Sequence, residues 1–165
     1  MNDGLLAITS SPEATRDLGA EVASLARAGD IFVLAGDLGT GKTVWVQGFA
    51  RGLGVAEPVT SPTFTLLRPY KGQVLTLLHA DLYRLDHLSE IYDLDLLEQL
   101  EGRAVACIEW GDFATPMLPA NLVEVRFDFG AGETERTIGF RLVGVPWAQR
   151  AAELATAVSP WSAAG

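Results

Sequence analysis

"GDLGTGKTVW", from Gly36 to Trp45, is the stretch that decides the fold. Its first eight residues fit G-x-x-x-x-G-K-[ST], a loop built to hold nucleotide phosphates. A chance match somewhere in a chain this long is roughly 0.5% at ordinary residue frequencies. The surroundings agree with the motif. "IFVLAGD" before it is a continuous apolar run of the kind expected for a central strand. After it, Val46, Phe49, Ala50 and Leu53 mark one helical face, and Gly54 is a good terminator.

The residue types explain the loop's chemistry. Its glycines let backbone N–H groups point into one concavity, and the helix N-terminus adds positive dipole there. The expected nucleotide cradle is therefore Gly36, Asp37, Leu38, Gly39, Thr40, Gly41, Lys42, Thr43 and Val44. Lys42 reaches the β- and γ-phosphates as a point charge, and Thr43 offers its hydroxyl to Mg²⁺. Ten of the twelve basic residues are Arg, so a Lys in this loop marks a place where Arg does not serve.

A magnesium nucleotide also needs carboxylates. Two strand-like runs end in one, "LTLLHAD" in Asp81 and "VACIE" in Glu109. If both strands lie parallel to "IFVLAGD", all three C-terminal ends open on the edge where α/β sheets bind ligands. Asp81 is then the natural Mg²⁺ anchor, through water. Glu109 is the candidate to orient or deprotonate an attacking water, close to the metal. "VTSPTFTLL" places Thr60, Ser61 and Thr63 where nucleotide switches carry a γ-phosphate-sensing hydroxyl. A polar turn around Pro62 explains that stretch equally well. Trp110 either stacks on a base or packs in the core, and Arg84 either reaches a phosphate or lies on the surface. His79, alternating with apolar neighbours, reads as a satisfied core residue, and Cys107 as inert core.

The remaining elements fill out one α/β domain over 1–158, with 159–165 expected to fray. "LLAIT" is an edge strand. "SSPEATRDLGAEVASLARAGD" starts a helix with a Ser10–Glu13 capping box, carries Leu18, Val22, Leu25 and Ala26 at helical spacing, and ends at Gly29. "TFTLLRPYKGQVLTLLHADLY" is two strands with a turn at Lys71–Gly72, and Asp95 with Glu98 suggests another capped start. "LVEVRFDFG", with Val123, Val125, Phe127 and Phe129 on one face, pairs with "RTIGFRLVG" as an antiparallel hairpin. "PWAQRAAELATAV" is one helix with Pro146 at its start. The expected architecture is a mostly parallel central sheet, flanked by helices and carrying antiparallel hairpins.

Composition narrows the function. Hydrophobic content of 48% and charged content of 20% fit a soluble globular chain. No run approaches a membrane span, no signal-peptide pattern opens the chain, and Cys107 has no disulfide partner. A reducing cytoplasm is expected. A net charge of −9 disfavours unassisted binding to nucleic acid. The absence of Asn-Lys-x-Asp argues against a standard GTPase. A small-acceptor kinase and a nucleotide-sensing module without useful hydrolysis remain as alternatives to an ATPase.

"GDLGTGKT", "SPTFTL", "HADLYRL", "CIEWGD" and "MLP" resemble, in order and spacing, the bacterial TsaE family of small P-loop ATPases. The resemblance runs from about Leu18 to Phe127. It implies ATP binding and slow hydrolysis in support of threonylcarbamoyladenosine (t6A) formation in tRNA. It implies Mg²⁺ held by Thr43 and Asp81, Glu109 essential for turnover, Trp110 at the site edge, and a switch-like loop over 60–65. The implied partners are TsaD and TsaB, with tRNA met only indirectly. Two positions depart from the pattern. Val44 stands where a second Thr often touches the α-phosphate, and Asp95 where Gly is frequent.

Overall fold

The computed structural model describes residues 4–60, 67–81, 96–109 and 120–162. Within them a seven-stranded sheet forms, with β1 (Gly4–Thr9), β2 (Ile31–Gly36), β3 (Leu67–Lys71), β4 (Thr76–Asp81), β5 (Ala104–Glu109), β6 (Leu122–Phe129) and β7 (Arg136–Val143). The spatial order is β1-β7-β6-β2-β5-β4-β3. The central strands β6, β2, β5 and β4 are parallel. β7 runs antiparallel between β6 and β1, and β3 pairs antiparallel with β4 at the other edge. This is the expected α/β architecture, with both hairpins present and β1 at an edge.

β2 and β5 are buried along nearly their whole length because both faces of the sheet are covered there, whereas β6 alternates, with Glu124 and Arg126 on its other face. In β2, Phe32 and Leu34 join one core cluster with Leu18, Val22, Trp45 and Phe49. Ile31 and Val33 join the other, with Leu78, Ala106, Ile108 and Leu96. The first cluster packs under α1 (Pro12–Ala23) and α2 (Lys42–Gly52), and the second meets the short α3 (Leu96–Leu100). Aromatic edges organise the first cluster. Phe32 meets Phe49 at 5.2 Å and Trp147 at 5.6 Å between ring centroids, within the range where such pairs add stability.

α1 and α2 cross with their backbones in contact. A Cβ on Gly48 would stand 1.8 Å from the Arg16 carbonyl oxygen, and one on Gly19 would stand 2.3 Å from that of Trp45. Only hydrogen fits at either position. Arg16 Nε then donates to Gln47 across the crossing, at 3.3 Å. α2 ends as the sequence suggests. Gly54 N–H donates to Arg51 O and Val55 N–H to Ala50 O, a Schellman pair that satisfies two terminal carbonyls.

Four local expectations change. The α1 N-cap is Ser11, whose hydroxyl accepts from Ala14 N–H at 3.1 Å, and not Ser10. Ser10 is diverted because its carbonyl accepts from Thr134 Oγ1 at 2.7 Å. α1 stops at Ala23, where tight i→i+3 bonds take over, and Gly29 instead donates to Ala104 O on the way into β2. Phe129 does not share the buried face of Val123, Val125 and Phe127. It is 56% exposed, with the Arg136 guanidinium over its ring. The C-terminal helix is two pieces, α4 (Val145–Ala148) and α5 (Ala151–Val158), broken at Arg150. The Arg150 guanidinium is tied to Asp30 and to the Leu25 carbonyl, and it stacks on Trp147 at 3.9 Å. That long-range tie outweighs one helical turn.

Beyond α5, Ser159–Trp161 form a 3₁₀ turn and Ser162 bridges to Ala7 of β1. Residues 163–165 lie outside the described set, as do Asp95, Arg84, Ser61, Thr63 and Trp110.

Candidate functional site

The parallel register brings three strand ends together. Asp81 is the cross-strand partner of Glu109, and Glu109 is that of Leu34, two residues before the end of β2. The loop from β2 to α2 rises over this edge. Thr40 is buried and braces it, with N–H and Oγ1 both donating to the Asp37 carbonyl, at 3.2 and 2.6 Å. Gly39 and Gly41 take positive φ, 84° and 104°, which a side chain would strain. Gly41 caps α2 without a side-chain hydrogen bond, and the first turn of α2 holds no acidic residue. The helix itself therefore brings no capping side chain and no acid to its positive end.

Lys42 is 5% exposed and folds back along the loop, its ammonium donating to the Gly36 carbonyl at 2.6 Å and to that of Asp37 at 3.1 Å. Thr43 Oγ1 donates to Glu109, lying 3.1 Å from each carboxylate oxygen. A cavity of about 220 Å³ is lined by Leu38, Gly39, Gly41, Lys42, Thr43, Val44, Asp81 and Glu109. The sequence-predicted residues thus converge on one hollow. The exceptions are Gly36 and Asp37, whose carbonyls hold the Lys42 ammonium, Thr40, which turns inward to brace the loop, and Thr63 and Trp110, which lie outside the described residues.

Three features escaped the sequence reading. The first is a second cavity of about 190 Å³ on the other side of the same loop. It shares Gly39, Gly41 and Val44, and is walled by Pro12, Thr15, Thr134 and Arg136. Arg136 also donates to the Gly39 carbonyl at 3.3 Å. Only the hairpin pairing of β6 with β7 brings Thr134 and Arg136 there, so no local pattern announces them.

The second is His79. It is fully buried, as expected of a core residue, but its Nε2 lies 2.5 Å from Glu109 Oε2. Its Nδ1 has no partner among the described residues. The signal was present in the spacing. His79 and Asp81 share a face of β4, so a residue two before a site carboxylate points the same way.

The third is electrostatic. Cys107 is buried core, and burial first, then the Glu109 charge, pushes its thiol well above its ordinary 9.0.

The donor set suits a hard divalent cation. Thr43, Asp81 and Glu109 offer oxygens only, and among the described residues no group of three or more His, Cys, Asp or Glu gathers into a cage. That pattern fits Mg²⁺, which takes few protein ligands and completes its shell with water and phosphate. No helix among the described residues is long and apolar enough to cross a membrane.

Comparison with known proteins agrees with this geometry. The family model described as threonylcarbamoyl adenosine biosynthesis protein TsaE matches residues 9–138. The tRNA threonylcarbamoyladenosine biosynthesis protein TsaE of Bacillus subtilis is 41% identical over 136 residues, covering 82% of this chain and 84% of the relative. The protein of the same name from Treponema pallidum is 42% identical over 118 residues, covering 72% and 87%. The crystal structure of Bacillus subtilis YdiB superposes with a TM-score of 0.76 at 34% identity, covering 94% of this chain and 97% of that one. The family model over residues 9–138, with these relatives along most of the chain, establishes that this chain belongs to the TsaE family.

Proposed function

We propose that the chain binds Mg-ATP at this loop and hydrolyses it slowly, and that the cycle serves t6A formation in tRNA by resetting a TsaD–TsaB complex in the cytoplasm. The observation that carries the reading is the contact of Thr43 with Glu109, made in the same cavity as Lys42 and Asp81. The names of the relatives support the t6A role.

The residues divide the work. The α2 N-terminus and the loop amides bind phosphate oxygens, and Lys42 adds a full positive charge. Thr43 and Asp81 hold Mg²⁺, with Glu109 beside them. Mg²⁺ held there would supply charge neutralisation for phosphoryl transfer. Glu109 accepts the proton of the attacking water, a role for which its acceptor-only carboxylate suits it. The cavity walled by Pro12, Thr15, Thr134 and Arg136 adjoins the loop at Val44, and receives the nucleoside. Val44 brings no hydroxyl, so a side-chain contact to the α-phosphate is either lost there or replaced by backbone. Thr63 and Trp110 belong to the switch loop and the site edge on the strength of the family resemblance.

A partner completes the site. P-loop switches of this kind leave part of the machinery to a second protein. ATP then favours the docked form, and by reciprocity docking tightens ATP binding. The test is a reconstituted t6A reaction with and without this chain, counting modified tRNA per TsaD–TsaB. Phosphate release and ATP affinity are measured in parallel. Turnover that stays at one round without the chain and continues with it supports the reading. Equal turnover, rates and affinities in both arms would refute it.

A further inference from the structure

We propose that His79 is a positioning residue for Glu109. This inference rests on the hydrolytic reading above, in which Glu109 handles the water.

The placement of His79 is costly unless it is used. Its neighbours on β4, Leu77, Leu78 and Ala80, are buried and apolar, and an aliphatic residue would pack there without desolvating a polar ring. Among the described residues the ring makes one polar contact, to Glu109 Oε2, and its Nδ1 makes none. The arrangement also selects the proton's place. Glu109 Oε2 is an acceptor, so Nε2 carries the hydrogen and donates. The opposite tautomer sets two acceptors against each other and buries an unpaired N–H, the worse of the two orphans.

The geometry of Glu109 shows what the contact controls. Its side chain is 4% exposed and accepts from two donors in all the described surroundings, Thr43 Oγ1 and His79 Nε2. Thr43 stands 3.1 Å from both oxygens and does not distinguish them. His79 touches only Oε2. The imidazole therefore fixes the rotation of the carboxylate and leaves Oε1 as the oxygen with spare lone pairs. A general base turned away from its water loses rate without losing substrate. Cys107, the cross-strand partner of His79, is a buried thiol and cannot take over the contact.

The experiment compares His79→Leu, His79→Asn and His79→Gln with the wild type and with Glu109→Gln, by phosphate release and by nucleotide affinity, each on folded protein confirmed by melting. Leucine removes the donor. Asparagine keeps an amide but falls short of Oε2. Glutamine places an N–H near the reach of imidazole Nε2. His79→Leu and His79→Asn should lower kcat by about 10- to 100-fold, with nucleotide Kd moved less than about threefold. His79→Gln should recover most of the loss. In a Glu109→Gln background, His79→Asn should cost nothing further, because the residue it acts through is already disabled. Wild-type kcat in both the Leu and Asn variants overturns the proposal. So does equal loss in all three variants, or a further loss in the double variant. A Glu109→Gln protein as fast as wild type is a different failure, since it removes the base itself.

Discussion

Replacing Glu109 with Gln separates binding from turnover, and the structure says how cleanly. The side chain keeps its length and shape in a site that is 3% exposed. Its carbonyl oxygen can accept from His79 Nε2, and its NH₂ then faces the Thr43 hydroxyl, which can turn from donor to acceptor. Every hydrogen bond of the carboxylate therefore has a counterpart. The swap also removes a nearly buried charge and its desolvation penalty, so the fold should not weaken. What is lost is a group able to accept a proton. General-base loss costs about 10²–10⁴ in rate, or about 2.7–5.4 kcal/mol in barrier. The assay is single-turnover phosphate release from saturating Mg-ATP, with Kd and melting temperature determined on the same preparation. A kcat lowered at least about 100-fold, with unchanged melting temperature and Kd within a few-fold, is expected. Hydrolysis near the wild-type rate would refute the assignment of Glu109 as base.

Three more outcomes follow from the described contacts. Mg-ADP or Mg-ATP at a hundredfold excess over Kd should stabilise the fold by about 2.7 kcal/mol, raising Tm by about 5–11 °C, and Lys42→Ala should abolish most of that gain in a thermal-shift measurement. Asp30→Ala should cost about 3–5 kcal/mol in urea unfolding, because it strands the Arg150 guanidinium at 9% side-chain exposure; a loss under 1 kcal/mol would contradict it. Cys107, with its thiol held above the ordinary 9.0, costs no stability at pH below 9.0 and progressively weakens the fold as pH rises from there toward the raised folded value, so Cys107→Ala should lose stability less steeply with alkaline pH than wild type in urea unfolding.

What the sequence discloses depends on whether the cause is local. The loop, its strand and its helix are announced by residues in one contiguous run, and the strand-end carboxylates by two apolar runs that each stop at an acid. Parallel pairing then had only one edge at which to gather them. The misses share a different origin. Ser11 caps α1 while the Ser10 carbonyl is held by Thr134, more than a hundred residues away, and the C-terminal helix breaks because Arg150 is claimed by Asp30. Arg136 reaches Gly39 only after a hairpin has closed. His79 looked like core, and is core, but its one partner lies on the neighbouring strand. Pattern reading sees the periodicity of an element and not the far end of a side chain.

The crossing of α1 and α2 has a consequence for how variants of this protein will present. The helix that carries Lys42 and Thr43 meets the backbone of Arg16 and Ala20 at Gly48 and Gly52, and at those two points nothing can yield if something larger arrives. Gly48→Val would lift the whole helix, and the loop at its head would shift relative to Glu109 while every polar group named above remained in the sequence. Such a lesion would register in a nucleotide titration as weakened affinity, indistinguishable at first from the loss of a phosphate ligand. The aim of the phosphate loop is set at a place where no phosphate comes, by atoms that are not there.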